Sequence, residues 1–336
     1  MILVTGATGH IGNVLIRELL QNGEKVRAMV LPKDDLTPIK YLDVEIVIGD
    51  VLEQESLVRA MREVDTVYHL AGLISIMPGD ADLLQQINVD GTRNMLSAAR
   101  ENQVKRFVYT SSIHALTRQP HGNVMSESAN FDPGQAVGDY DRSKAQASLE
   151  VIQAAQQGMD TVIVCPTGVI GPFDYKLSEL GTLLFKALTQ KTAYSIAGAY
   201  DFVDVRDVAR GEILAGKYGR RGEAYILSGE WIRIRDILAF VKEISGEKGS
   251  LIQIPTWLAK AASRITPAYY RLTKSKPQFT SYSIETVQSN AVVSHQKATQ
   301  ELGYHPRRIK ESLTDTVQWL LENRKLKQEL ISRNIK

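Results

Sequence analysis

At 336 residues the chain is long enough for one large domain or two coupled ones, and a chain of that length buries roughly 75% of its unfolded surface. Hydrophobic residues make up 43% and charged residues 23%, ordinary values for a soluble globular protein. The net charge of +2, with acids and bases interspersed, offers no basic field for nucleic acid and no polybasic block for anionic lipid. No apolar run approaches the ~20 residues that span a bilayer, and cleavage of an N-terminal signal peptide would remove the first strand, so a cytoplasmic location is expected. Cys165 is the single cysteine; it excludes an internal disulfide and reads as a small buried hydrophobe with no activating base nearby.

Short β-branched runs alternate with longer helical patterns through the first 165 residues, the signature of a parallel sheet covered by helices on both faces. Strands are expected at Ile2–Val4, Lys25–Val30, Val44–Ile48, Thr66–Leu70, Arg106–Thr110 and Thr161–Val164. Their nearly continuous apolar character suits strands buried on both faces. Helices are expected at Ile11–Gln21, Gln54–Met61, Asp82–Glu101 and Tyr140–Gln156. After Pro166 the pattern changes. A strand at Phe202–Val205 leads into a helix at Asp207–Leu214, and Ala224–Leu227 is a further short strand. From Pro255 the chain is mostly helical: Trp257–Arg264, Ser283–Gln288, Gln296–Leu302 and Ile309–Asn323. The tail Arg324–Lys336 reads as a solvated or docked helix. The expected fold is α/β, a doubly wound Rossmann sheet with a smaller C-terminal α/β substrate domain. Residues 1–165, with a return segment near 201–225, form the nucleotide-binding part; 166–200 and 226–336 form the substrate part.

Met1–Gly12, MILVTGATGHIG, is a strand running into a glycine turn that opens a helix. Gly6 lets the chain leave the strand sharply, Gly9 lets backbone approach phosphate, and Gly12 lets the helix pack on the sheet. The helix N-terminus then offers N–H groups to a pyrophosphate. His10 sits inside this loop, as a cofactor contact or a bystander. Asp50, after the third strand, could accept from an adenine amino group or cap the following helix, and both roles are compatible. At the end of the second strand an acid would hold a ribose 2′-hydroxyl and an arginine a 2′-phosphate. Val30-Leu31-Pro32-Lys33 supplies neither. Lys33 could reach a phosphate, so NADP(H) is favoured over NAD(H).

Tyr140–Lys144, YDRSK, places a phenol and an ammonium four residues apart on one helical face. Hydride transfer to a carbonyl leaves an alkoxide that needs a positioned acid. A tyrosine titrates near ~10, and a neighbouring ammonium would draw that value toward neutral. Tyr140 is the expected proton donor or acceptor, with Lys144 tuning it and holding ribose hydroxyls. Tyr270–Lys274 fits the same spacing, as chance allows among 13 tyrosines, but lies far from any cofactor turn. Thr110-Ser111-Ser112 ends the fifth strand; Ser112 is the expected hydroxyl for the substrate oxygen, and Ser111, facing the opposite way, its rival. Asn88 would bridge water or backbone near the site. The six histidines show no metal-ligand spacing, and no HExxH, GxSxG or P-loop lysine occurs, so no metal is expected.

TGATGHIG, Gly49-Asp50-Val51, Tyr68-His69-Leu70-Ala71-Gly72, Asn88-Val89-Asp90-Gly91-Thr92, Thr110-Ser111-Ser112 and YDRSK together resemble the extended short-chain dehydrogenase/reductases, the NAD-dependent epimerase/dehydratase superfamily. Pro166-Thr167-Gly168-Val169-Ile170-Gly171-Pro172 and Asp201–Val208 extend that resemblance over nearly the whole chain. It implies a Ser–Tyr–Lys site of Ser112, Tyr140 and Lys144. It also implies cofactor contacts from Gly6, Thr8, Gly9, His10, Ile11, Gly12, Leu31, Lys33, Asp50, Val51, Leu70, Ala71, Gly72, Asn88, Pro166, Thr167 and Val169, besides Tyr140 and Lys144. Within the superfamily the chain is most similar to dihydroflavonol-4-reductase-like proteins, which resemble 3β-hydroxysteroid dehydrogenases. Leu31 stands where those reductases carry arginine, and Ser148 where many relatives have glutamate.

The expected function is NAD(P)(H)-dependent reduction of a carbonyl, or oxidation of a secondary alcohol, on a small and fairly apolar molecule. A nucleotide-sugar epimerase or dehydratase would need a basic cleft, for which Arg271, Lys274, Arg307 and Arg308 are candidates, though a solvated surface explains them as well. A non-catalytic dinucleotide sensor would have no need of the phenol–ammonium pair. A homodimer would pack through helices near Asp82–Glu101 and Tyr140–Gln156.

Overall fold

The computed structural model describes residues 1–75, 79–120, 122–246, 249–262, 281–289 and 292–323. Seven parallel strands form the main sheet: β1 (Ile2–Thr5), β2 (Val26–Val30), β3 (Glu45–Ile48), β4 (Thr66–His69), β5 (Arg106–Thr110), β6 (Thr161–Pro166) and β10 (Ala224–Leu227). Their order is β10-β6-β5-β4-β1-β2-β3. The chain therefore winds outward in one direction from β1 to β3, then returns to start again at β4. That reversal between β1 and β4 is where a parallel sheet opens a crevice at its carboxyl edge.

One face carries α1 (His10–Gln21) and α7 (Val205–Tyr218), whose Val14, Leu15, Leu19, Val208 and Ile213 pack with Val4, Ala28, Val108 and Val164 of the sheet. The other carries α2 (Gln54–Ala60), α4 (Gly91–Glu101) and α5 (Asp139–Gln156), through Leu57, Met95, Leu96 and Val151. Burial of each large side chain contributes roughly 1.5–3 kcal/mol. Leu15, fully buried, would cost about 2–5 kcal/mol on truncation to Ala. Burial on both faces holds for the central strands but fails at β3, the sheet's last strand, where Ile46 and Ile48 are exposed.

The expected helix at Asp82–Glu101 begins as α3 (Ala81–Leu84), passes through a π-helical turn at Gln85–Asp90 and continues as α4. Strand β9 runs Ala199–Asp204 rather than Phe202–Val205, because the Asp204 carboxylate accepts from Arg206 N at 2.8 Å and starts α7 at Val205. Around it lie elements that local pattern did not disclose. β7 (Gly168–Ile170) and β11 (Glu230–Arg233) flank β9 in a three-stranded sheet, and β8 (Thr192–Ile196) pairs in parallel with β12 (Ser250–Ile254). Helices α6 (Glu179–Thr189) and α8 (Ile234–Ser245) cover these small sheets. Helices at Ser281–Gln288, Gln296–Leu302 and Ile309–Glu322 complete the described chain.

Candidate active site

Gly6 leaves β1 with φ of +65°, and a Cβ there would stand 2.8 Å from the Leu70 carbonyl carbon. A Cβ on Gly12 would stand 2.2 Å from Gly6 O, so the turn and the first helical residues are a close-fitted cradle. Gly9 caps α1 without a side-chain hydrogen bond, and no acid occupies the first turn. This leaves the helix end with the donor set and dipole that suit an anion. His10 and Ile11 open the helix; the His10 Nε2 lies 2.9 Å from Pro172 O, and Asn13 Nδ2 donates to Phe173 O at 3.2 Å. The return segment is thus stapled across the turn.

The end of β2 holds a carboxylate that sequence reasoning missed. Leu31 and Lys33 are exposed, but Asp34 folds back: its Oδ2 accepts from Thr8 Oγ1 at 3.2 Å and from Leu31 N at 3.4 Å. Lys176, from the segment after β7, donates to Thr8 Oγ1 at 2.9 Å and lies 3.4 Å from Asp34 Oδ1. The turn Leu31–Asp34 thus brings a carboxylate beside Thr8, just past the four residues that supply none. Asp50 does not cap α2. Its carboxylate accepts from Leu52 N at 2.9 Å, while Glu53 occupies the cap position. Val51 is buried against Gly91, its carbonyl held by Asn94.

Leu70 N and Ala71 N both donate to Thr5 Oγ1, at 3.2 and 3.0 Å, locking the end of β4 to β1. His69, fully buried behind them, sits between Thr5 and Thr92; burial pushes its imidazole down to about 3, so it is neutral. Asn88 projects from the π-helical turn. Its amide exchanges hydrogen bonds with Leu73 N and O at 2.7 and 3.0 Å, and donates to Ser143 Oγ at 2.9 Å. The backbone bridge expected of Asn88 is thereby observed, and its Oδ1 lies 3.1 Å from where a Gly72 Cβ would stand.

Ser112, Tyr140 and Lys144 come together at this edge. Ser112 follows β5 and caps the 3₁₀ turn Ile113–Ala115, accepting from His114 N at 3.2 Å. Its hydroxyl stands near enough to the Tyr140 phenol to favour loss of the phenolic proton. Ser111 points away: its hydroxyl meets Ser148 Oγ at 2.7 Å, and Ser148 in turn donates to Lys144 O at 2.8 Å. Lys144 Nζ donates to Thr110 O at 2.6 Å and lies 4.5 Å over the Tyr109 ring.

The electrostatics depart from expectation. Burial pushes the Tyr140 phenol up to about 12, with the neighbouring Ser112 hydroxyl acting against it. Burial lowers the Lys144 ammonium to about 8. The expected drop of the phenol toward neutral is absent because desolvation dominates and Lys144 turns its charge to Thr110 O and Tyr109. Cys165 is buried and its thiol is pushed up to about 12, in keeping with a small hydrophobe.

Further groups surround Tyr140 that no motif announced. His114 Nε2 lies 3.0 Å from Tyr200 OH and its ring stacks on that phenol at 5.8 Å. Asp141, 1% exposed, accepts from the Tyr282 hydroxyl and from Arg118 Nη2 at 3.4 Å. These residues come from four segments, so no local spacing could reveal them.

Other residues of the expected set have partners within the protein. Thr167, after Pro166, donates its hydroxyl to Asp201 at 2.6 Å, and Val169 pairs with Val203 in β7. Arg307 is no solvated cation: its guanidinium holds Asp207 at 2.9 Å. Tyr270–Lys274, Arg271 and the tail 324–336 lie outside the described residues. Among the described residues no cluster suits a metal, and no helix is long and apolar enough to cross a membrane.

Comparison with known proteins places this geometry. The model of the "NAD dependent epimerase/dehydratase family" matches residues 2–228. The chain is 35% identical to "Sterol demethylase protein B" of Methylococcus capsulatus, over 95% of this chain and 98% of the relative. It is 33% identical to a "Putative dihydroflavonol 4-reductase" of Synechocystis, over 94% and 93%. Its fold matches dTDP-glucose 4,6-dehydratase of Streptomyces venezuelae, solved with NAD, at a TM-score of 0.81, covering 98% of this chain and 99% of that one at 22% identity.

Proposed function

The chain belongs to the NAD-dependent epimerase/dehydratase family and is an NAD(P)-dependent oxidoreductase of the extended short-chain type; from that footing we propose that it interconverts a carbonyl and a secondary alcohol on a small, fairly apolar molecule. The observation that carries this reading is the Ser112 hydroxyl beside the Tyr140 phenol at the sheet edge, with Lys144 one helical turn behind. The aromatic and imidazole walls of Tyr200, Tyr282 and His114 beside it suit an apolar substrate. The sterol and dihydroflavonol names of the two relatives point the same way.

In this reading a bound nicotinamide supplies the hydride acceptor or donor. The cradle of Gly6, Gly9 and Gly12 would hold the pyrophosphate, and Leu70–Gly72, packed beside that cradle, would line the same crevice. Ser112 orients the substrate oxygen by a hydrogen bond. Tyr140 donates its phenolic proton to the oxygen on reduction, or accepts it on oxidation. A phenol near 12 is almost wholly protonated at neutral pH, which suits donation in the reductive direction; in the oxidative direction the positive charge of an oxidised nicotinamide would favour the phenolate. Lys144, close behind Gly72, would also hold ribose hydroxyls.

Asp34 beside Thr8 favours NAD(H), because a carboxylate there accepts from a 2′-hydroxyl and repels a 2′-phosphate. Lys176 partly offsets that repulsion. A second copy would pack on α4 and α5, whose flank leaves Leu149 exposed. A nucleotide-sugar reading draws no support from Arg307, since that cation is already paired. The test is Tyr140→Phe, assayed with both cofactors on a panel of apolar ketones and secondary alcohols. The variant should fold and bind cofactor with turnover lost; wild-type turnover would remove the reading.

A further inference from the structure

Glu212 projects from α7 into the sheet and is fully buried. Its Oε1 accepts from Thr110 Oγ1 at 2.5 Å, while its Oε2 is buried without a hydrogen-bond partner. Thr110 is also the residue whose carbonyl receives the Lys144 ammonium at 2.6 Å. One threonine therefore joins the buried acid, through its hydroxyl, to the buried base, through its backbone. An unpaired carboxyl oxygen at this depth is costly and calls for a reason.

The groups facing the pair define what that reason is. Lys144 faces Tyr109 on β5, Cys165 on β6, His69 on β4 and Tyr140 on its own helix; Glu212 faces Tyr68 on β4. Burial keeps every one of these neutral near pH 7: phenols and thiol are pushed up, the imidazole down. Among the described residues facing Lys144, Glu212 alone can then present a negative charge. Burial raises the Glu212 carboxyl and lowers the Lys144 ammonium, so that the two meet at about 8. As pH rises toward that value, loss of the Glu212 proton creates the anion that retains the proton on Lys144.

We propose that Glu212 is a positioning residue which, through Thr110, keeps the Lys144 ammonium charged as pH rises and so extends the alkaline range of the Ser112–Tyr140–Lys144 site. Only N–H and O–H bonds change, and no further reactant is needed. The inference rests on the catalytic reading above for its consequence in turnover, but not for the charge linkage itself.

The test measures the titration of Lys144 directly, by competitive acetylation of the full-length protein across pH with mass spectrometry of the Lys144 peptide. In Glu212→Gln the midpoint should fall by about one pH unit, the shift expected when a nearby opposite charge is lost. Thr110→Val should lower it less, and Thr110→Ser should restore the original midpoint. The alkaline limb of kcat should move with the midpoint while the cofactor KM stays fixed. Should Glu212→Gln fail to fold, Thr110→Val against Thr110→Ser makes the same comparison. An unmoved midpoint, or a kcat lowered equally at every pH, overturns the proposal. If instead Tyr140→Phe retains turnover while the Lys144 midpoint still moves, the catalytic reading fails and the charge linkage stands.

Discussion

Two ionic clusters in this protein bury their acids equally deep and finish them differently. In one, Arg307 grips Asp207 at 2.9 Å, and Arg206 holds Asp204 and Asp315 at 2.7 Å each. In the other, Lys144 and Glu212 share Thr110 as an intermediary, and a carboxyl oxygen is left over. Burial pushes toward the neutral form in both. Where guanidinium forks satisfy the carboxylates, as at Asp204, hydrogen bonds overcome burial and hold the acid below its ordinary range. Where they do not, acid and base drift toward each other. The first cluster ties α7 to the chain before the helix Ile309–Glu322; the second stands behind the reacting groups. Full pairing makes a fastener, and partial pairing leaves a group free to change its proton.

The sharpest separation comes from Tyr140→Phe. Turnover should fall by roughly 10²–10⁴-fold, the contribution of a positioned acid or base, with the melting temperature held; a thermal scan beside the assay checks both. Arg307→Ala should do the reverse. Leaving Asp207 and Asp204 buried without that partner should cost about 3–5 kcal/mol in denaturant unfolding, with kcat per folded molecule little changed. Gly12→Ala, with a Cβ driven toward Gly6 O, should abolish cofactor binding by titration calorimetry before it disturbs the sheet.

An acid titration sharpens the same contrast. The Asp204 carboxyl is lowered in the folded chain, so it stabilises above its unfolded value of ~3.9 and that stability is lost as pH falls through the folded value. The stability gap between the wild type and Arg206→Gln should close as pH drops below ~4. Smallest in effect, Asp34→Asn should move the ratio of NAD to NADP affinities toward NADP by about tenfold, equal to about 1.4 kcal/mol. An unchanged ratio would take Asp34 out of cofactor selection.

Legibility in the sequence follows the range over which each feature is built. The strands of the large sheet are apolar runs closed by turns, and Arg106–Thr110 and Ala224–Leu227 have the expected bounds. The glycine turn, Ser112 and the Tyr140–Lys144 spacing are local too, and the structure brings them to one edge. Helix α8, absent from the expected elements, is equally local: Ile234, Ile237, Leu238 and Val241 are its buried stripe at helical spacing. The small sheets are different. β7 finds its partner β9 only after α6 and β8 intervene, so its three residues carry no periodic signal of their own. Asp34 was hidden by a turn that folds it back on Leu31, and Glu212 by the 102 positions separating it from Thr110. Buried acids on amphipathic helices look, in sequence, like members of the solvated face.

The wide turn at Gln85–Asp90 fixes the phase of everything before it. A π-helical turn accommodates one residue more than an α-helical turn, and here that surplus carries Asn88 to the Leu73 backbone. Removing a single residue from Gln85–Asp90 would rewind the wide turn as ordinary α-helix and shift Asn88 by one position, about 100° around the axis. Asn88 would swing off Leu73 and Ser143, so a one-codon deletion in a smooth-looking helix would unhook the sheet edge from α5.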